Sequence, residues 1–433
     1  MEETIEQIAQ SARDASIQMA AMASSHKDKA LERIAQALIE NKETILQANA
    51  EDVTKAREDG LSEPLIKRLL LSESKLLDAV KGIRDMALLP DPIGKTTYQN
   101  QMDKNLELYR VTCPIGVIGI IFEARPDALI QISALCLKSS NAVLLKGGTE
   151  ANGTNRALTA VIKKASEEEG IPDGWISLLL TRTDVMELLK MDGRVDLIIP
   201  RGSNQFVQMI MNNTRIPVLG HADGVCHTYV DEDCDMEMAI RVLLDAKTQY
   251  VAVCNATETI LIHEKIADLL LPLLKETFDK NHVEIFGCAK TSGILGCRPV
   301  ADWHTEYLDY AVSVMIVASL DEAIAHINRY GSRHTDAIIT SNEQAARRFM
   351  SLVDAGNVFW NCSTRFSDGF RYGFGAEVGV STSKIHARGP VGLEGLVTYK
   401  YKLFGNGQTV GDYSSGGSSY LHLRTDKECP FDR

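Results

Sequence analysis

Between Val117 and Met211, apolar runs and amphipathic stretches alternate with a regularity that few architectures can satisfy. Val117-Ile118-Gly119-Ile120-Ile121-Phe122 contains no charged residue and predicts a strand buried on both faces. Residues 127–138 follow with helical spacing. Strands at 142–145, 176–180 and 195–199 then alternate with helices at 150–169, 184–191 and 204–211. Such alternation implies a parallel sheet covered by helices on both faces, with ligands received at the carboxyl ends of its strands. A second unit repeats the rhythm, with strands near 225–230, 257–263, 283–288, 313–319, 336–340 and 357–361. Its helices lie near 235–248, 264–280, 321–329 and 342–353. The expectation is an α/β chain with two parallel-sheet, Rossmann-like domains.

The flanks read differently. Residues 1–88 are predicted to be helical, with Ile5, Ile8, Ala12, Ala15, Met19 and Met22 on one stripe. Leu106, Leu108 and Arg110 alternate with Glu107, Tyr109 and Val111, which suits an exposed strand pair or arm. Beyond Cys362 the chain is rich in glycine, so loops are expected to line a site, and residues 396–403 alternate again and could pair with the 106–112 arm. The Gly/Ser-rich stretch 405–419 is expected to be loosely held. The division expected is 1–95 with 113–224 for a dinucleotide-binding unit preceded by helices, and 225–361 for a catalytic unit. Residues 362–395 would return to the site, with 96–112 and 396–433 as a small β oligomerisation arm and tail.

Composition narrows the partners. The formal net charge of −12 argues against nucleic acid or an anionic membrane surface. No apolar run approaches a membrane span, and the acidic start does not resemble a signal peptide. The nine cysteines form no CxxC pair, so structural zinc is not expected, and reduced thiols in the cytoplasm are.

Three features carry chemistry. Cys254, followed by Asn255, falls on the short connection between a predicted helix and a predicted strand, where a thiol can be rigidly held yet reachable. A buried, inert thiol is the other reading of it. Lys146-Gly147-Gly148 and Arg201-Gly202-Ser203 each follow a predicted strand, so each is a candidate for holding a phosphate, or an ordinary strand-to-helix turn. The usual GxGxxG fingerprint is absent; Gly405-Asn406-Gly407 is a lookalike with no helix after it. Arg365 and Arg388 lie in glycine-rich loops with Lys384 and His386 nearby. In an acidic chain, cations so placed suit a carboxylate or phosphate, although a solvated loop would look the same.

Taken together, these residues resemble the gamma-glutamyl phosphate reductase family, the acyl-phosphate-reducing branch of the aldehyde dehydrogenase superfamily. The resemblance rests on FEARPDALIQ (122–131), LLKGGTEA (144–151), IPRGSN (199–204), VLGHADGVCHTYVDEDCD (218–235) and VCNATETILIH (253–263). It rests above all on the long segment STRFSDGFRYGFGAEVGVSTSKIHARGPVGLEGL (363–396). The chain is also similar to the reductase half of pyrroline-carboxylate synthase, and no kinase domain accompanies it. Residues 250–257, YVAVCNAT, depart from the family, which usually has proline or alanine before the cysteine.

The resemblance implies NADPH-dependent reduction of L-glutamyl 5-phosphate to glutamate 5-semialdehyde in proline biosynthesis, through a thioester on Cys254. Backbone N–H groups near Cys254, with Asn255, would stabilise the oxyanion. It implies that Lys146, Gly147, Gly148, Arg201, Gly202, Ser203 and Glu306 hold the cofactor, and that Arg125, Arg365 and Arg388 hold the substrate. The arm and tail suggest a homo-oligomer, a dimer or tetramer, and functional coupling to glutamate 5-kinase is left open. Hydrolytic aldehyde dehydrogenases carry a glutamate in a stretch that corresponds here to Gly220-His221-Ala222-Asp223-Gly224, which has no glutamate at its head. A thioester there should therefore be shielded from general-base attack by water, unless His221 or Asp223 serves instead. A hydrolytic aldehyde dehydrogenase and a non-catalytic nucleotide-binding scaffold are the alternative readings.

Overall fold

The computed structural model describes residues 3–431 apart from 124, 203, 221 and 222. Its two parallel sheets follow the two runs of alternation. In the first, the spatial order is Ile176–Leu178, Ala142–Lys146, Val117–Ile121, Leu197–Pro200, all parallel. Val117–Ile121 and Ala142–Lys146 are buried at every position, as expected of strands covered on both faces. In the second, seven strands run in the order Arg298–Pro299, Glu284–Gly287, Ala311–Val317, Thr257–His263, Cys226–Val230, Thr335–Ile339, Asn357–Trp360.

Five helices between Ile5 and Ala87 precede the first sheet and share its core: Met19, Leu31, Leu38, Leu76 and Ile83 pack in one cluster with Ile118, Ile120 and Val143. Two buried lysines fasten this helical layer. Lys27 Nζ donates to Asp91 at 2.9 Å and to the Lys138 carbonyl at 3.1 Å, and Lys138 Nζ reaches Asp28 at 2.5 Å. Removing one partner would leave a buried charge uncompensated, which costs more than an exposed pair would return.

The second sheet has its own apolar layer, in which Leu270, Leu274 and Phe278 of helix Glu264–Lys280 pack on Ile260, Ile262 and Val314. Phe278 is fully buried. Phe278→Ala is expected to destabilise the protein by about 3–5 kcal/mol, read by denaturant unfolding.

Several boundaries move for local reasons. The helix predicted at 184–191 runs Arg182–Leu188, because Thr181 and Asp184 form a reciprocal cap: the Thr181 hydroxyl accepts the Asp184 N–H, and the Asp184 carboxylate accepts the Thr181 N–H. The strand predicted at 195–199 begins at Leu197, since the Val195 N–H is spent on the Met191 carbonyl and the Asp196 carboxylate on Arg13 and Val117 N–H. Helix Ala289–Leu295 was not legible; it is only seven residues long, starts on the Cys288 sulfur and stops at Gly296 with φ 66°.

The strand Val397–Phe404 does pair antiparallel with Leu106–Pro114, placing Leu403 opposite Leu108. The tail after Gly405 is more ordered than its composition suggests. Residues Val410–Ser414 are helical, Tyr413 Oη donates to Asp103 at 2.9 Å, and its ring stacks on Tyr420.

Candidate active site

Cys254 sits in the connection 249–256 between helix Met236–Thr248 and strand Thr257–His263. Four contacts fix this connection. The Ala256 N–H turns back to the Val253 carbonyl at 3.1 Å. The Cys226 thiol donates to the Cys254 carbonyl at 3.1 Å. Asn255 Nδ2 donates to the Ser367 carbonyl at 2.7 Å, tying the loop to the glycine-rich segment. Gly224 closes the fourth side, since a Cβ there would stand 2.6 Å from Cys254 Cβ and closer still to its Cα and carbonyl oxygen.

Cys254 is half-buried and opens on a cavity of about 250 Å³ that it lines with Arg201, Gly202, Glu306, Leu308 and Glu377. Cys226, one strand away, is fully buried, and burial pushes its thiol well above the ordinary thiol range. The contrast separates a reachable thiol from an inert one. A second cavity, of about 320 Å³, lies at the carboxyl ends of the first sheet and is lined by Lys146, Gly147, Gly148 and Arg182. Arg201 and Gly202 line both cavities, so the two adjoin.

Two arginines lie within electrostatic reach of the thiol. A thiolate at Cys254 acts on the guanidinium of Arg201 and on that of Arg365, in each case favouring the cation. Burial pulls both guanidiniums below the ordinary arginine value, yet arginine stays charged in a protein. Arg365 is held in place by Nε donation to Gln249 at 2.9 Å, and Arg125, which caps helix Pro126–Lys138, is a further cationic neighbour of Arg201. Burial also lowers Lys146, whose ammonium donates to the Gly147 carbonyl.

The structure thus brings together Cys254, Arg201, Gly202, Glu306 and Arg365, with Arg125 beside Arg201 and Lys146, Gly147 and Gly148 in the adjoining cavity. Asn255 does not line the cavity, and its donor is engaged with Ser367. Arg388 stands elsewhere: its Nη2 donates to Asp354 at 2.9 Å, Lys384 joins the same carboxylate at 2.7 Å, and it lines a third cavity of about 620 Å³ that Cys254 does not reach. Ser203 and His221 lie outside the described residues.

Two features escaped sequence reasoning. Glu377 lines the cavity beside Arg201 and accepts the Gly369 N–H at 2.8 Å. Gly224 is packed on Cys254, and its N–H donates to Glu306 at 3.0 Å. Both occur within recognised segments, but no local pattern reveals which residue a folded loop turns inward.

Comparisons with known proteins identify the family. The aldehyde dehydrogenase family model matches residues 1–285. The gamma-glutamyl phosphate reductase of Acetivibrio thermocellus is 60% identical over 429 residues, covering 99% of this chain and 100% of that protein. That of Pelotomaculum thermopropionicum is 58% identical over 424 residues, covering 98% of each. Among solved structures, gamma-glutamyl phosphate reductase from Thermotoga maritima superposes with a TM-score of 0.91 at 39% identity, covering 94% of this chain and 100% of that one. An acetylating aldehyde dehydrogenase from Geobacillus thermoglucosidasius shares the fold at 17% identity and a TM-score of 0.63, covering 94% of this chain and 97% of that one. A half-buried thiol with Arg201 and Arg365 among its charged neighbours, on an aldehyde dehydrogenase fold and within a sequence matched along its whole length, leads to one assignment: the chain belongs to the gamma-glutamyl phosphate reductase family.

Proposed function

We propose that the chain reduces L-glutamyl 5-phosphate to glutamate 5-semialdehyde with release of phosphate, using Cys254 as nucleophile. The observation that carries this reading is a reachable thiol on the wall of a cavity shared with Arg201 and within the field of Arg365. The thiolate is the reactive form of a cysteine. The thiolate attacks the acyl carbon, the carbon–oxygen bond to phosphate breaks, and the acyl group remains on Cys254 as a thioester. Arginine's planar fork suits the anions of the substrate: Arg201, which borders both cavities, would face the departing phosphate as well as the cofactor, with Arg125 a cationic neighbour, and Arg365 is assigned to the substrate carboxylate.

The cavity at the strand ends fits a nicotinamide dinucleotide. Gly147 leaves no room for a Cβ against Asn155, whose buried side-chain atoms have no hydrogen-bond partner among the described residues. The cradle is lined by Lys146, Gly147, Gly148, Arg201 and Gly202, which would hold the cofactor, and Lys146 with Arg182 supports the phosphorylated form, NADPH. When bound, the cofactor supplies the hydride that takes the acyl group to the aldehyde oxidation level. Cys254 then departs as thiolate when the tetrahedral adduct collapses.

The surroundings of the two cavity carboxylates support shielding of the thioester from water. Glu306 and Glu377 line the cavity, but each already accepts a backbone N–H, and Glu377 lies beside Arg201. The nine free thiols support a reducing cytoplasmic setting, and no helix of the described residues is long and apolar enough to cross a membrane. The exposed row Tyr399, Tyr401 and Leu403 on the edge strand Val397–Phe404 supports assembly into a homo-oligomer through this arm. The lability of an acyl phosphate supports coupling to the glutamate 5-kinase that would make it.

The reading is tested in reverse, by following reduction of NADP⁺ with glutamate semialdehyde and phosphate. Sustained turnover should require phosphate, and turnover indifferent to phosphate would overturn the reading. In the same assay Arg201→Gln is expected to lower kcat/KM by about 10²-fold, the scale of a lost charge clamp. Arg388→Ala, removed from Cys254, is expected to stay within about threefold of wild type.

A further inference from the structure

Lys247 is the last cation of the helix before the Cys254 connection, and Glu258 is the second residue of the strand after it. Both side chains are completely buried, and Lys247 Nζ meets Glu258 Oε2 at 2.7 Å. The pair therefore closes the base of the loop that carries the nucleophile. The other carboxylate oxygen, Oε1, accepts the Leu308 N–H at 3.3 Å. Leu308 is a branched residue at φ 52°, in the left-handed region that such side chains seldom occupy unless the surroundings impose it. Leu308 and Glu306 line the Cys254 cavity, and Glu306 accepts the N–H of Gly224, which is packed on Cys254 itself.

We propose that Glu258 is a positioning residue for the reaction: one oxygen ties the two ends of the Cys254 loop through Lys247, and the other holds Leu308 in its left-handed turn. By that route Glu258 sets part of the wall of the Cys254 cavity and the placement of Glu306 on Gly224. A buried ion pair kept only for stability could be exchanged for a neutral pair without regard to the Leu308 N–H. A positioning pair must keep an acceptor at that spot.

This inference rests on Cys254 as the nucleophile, so the experiment adds a readout that needs no substrate. Glu258→Asp keeps the charge but withdraws the acceptor by one methylene. It is expected to lower kcat about tenfold while KM stays within about twofold, because misplacement of reacting groups acts on the chemical step. Alkylation of Cys254 by iodoacetamide, followed on its own peptide by mass spectrometry, should slow in the same variant. The double variant Lys247→Met/Glu258→Gln is neutral yet retains an acceptor, and is expected to keep kcat within about threefold of wild type and a normal alkylation rate. Wild-type kcat and alkylation in Glu258→Asp would overturn the proposal. So would equal losses in both variants that follow their melting temperatures, which would make the pair merely structural. An alkylation change without any acyl-phosphate chemistry would instead count against the functional reading alone.

Discussion

Cys254→Ala is expected to abolish turnover, by at least about four orders of magnitude in kcat, while leaving the melting temperature close to that of the wild type. The size follows from the chemistry: without the sulfur no thioester forms, and what remains is binding and electrostatic stabilisation alone. Stability should hardly change, because Cys254 is only half-buried and the contacts that fix its loop are made by backbone atoms and by neighbours. Its carbonyl still receives the Cys226 thiol, and the Asn255 amide still reaches Ser367. Cysteine labelling offers an independent check. Loss of a fast-reacting thiol in this variant, with the other eight of the nine unchanged, would identify Cys254 as the activated one. Turnover that survives the substitution would remove the nucleophile from the account.

Gly224→Ala is the second large effect, and it arises without touching a chemical group. A β-carbon would stand 2.6 Å from Cys254 Cβ, and the nearest atoms are backbone atoms of Cys254 itself rather than the tip of a flexible side chain. Something must move, and what is in the way is Cys254, the proposed nucleophile. Displacing a reacting atom by about 1 Å is enough to cost about 10²-fold in rate. The same shift disturbs the Gly224 N–H donated to Glu306 at 3.0 Å. The expected outcome is therefore a loss of about 10²-fold in kcat, with the protein still folded by circular dichroism. By contrast, Gly293 has nothing within 4 Å of an added β-carbon, and Gly293→Ala is a control expected to behave as wild type. Equal activity of Gly224→Ala and Gly293→Ala would show that the close packing at Cys254 has no functional weight.

How much of this was legible in the sequence depended on whether a signal was local. The strands Val117–Ile121 and Ala142–Lys146 stood out because strands buried on both faces must be apolar throughout. Cys254 stood out because it falls where a helical period gives way to a β-branched run. The pairing of Val397–Phe404 with Leu106–Pro114 could be anticipated from two alternating stretches in need of partners.

The placement of the arginines was less accessible. Arg365 and Arg388 occur in similar glycine-rich surroundings, yet one is buried against Gln249 near the thiol and the other is bound to Asp354 beside a different cavity. That difference is set by Asp354, at the end of another element, and spacing along the chain carries no trace of it. The packing of Gly224 on Cys254 and the left-handed turn at Leu308 are likewise long-range facts. Glu258 reads as a polar interruption in a buried strand until Lys247 is found beside it.

The central claim is that the acyl group on Cys254 is handed to phosphate rather than to water. It is tested most directly by mixing the enzyme rapidly with glutamate semialdehyde and NADP⁺ in phosphate-free buffer. The account predicts a burst of reduced nicotinamide equal to the concentration of Cys254, then a near halt, an acyl mass on the peptide that contains Cys254, and resumed turnover when phosphate is added. Continued turnover at the burst rate without phosphate, or a burst with no acyl group on Cys254, would contradict it.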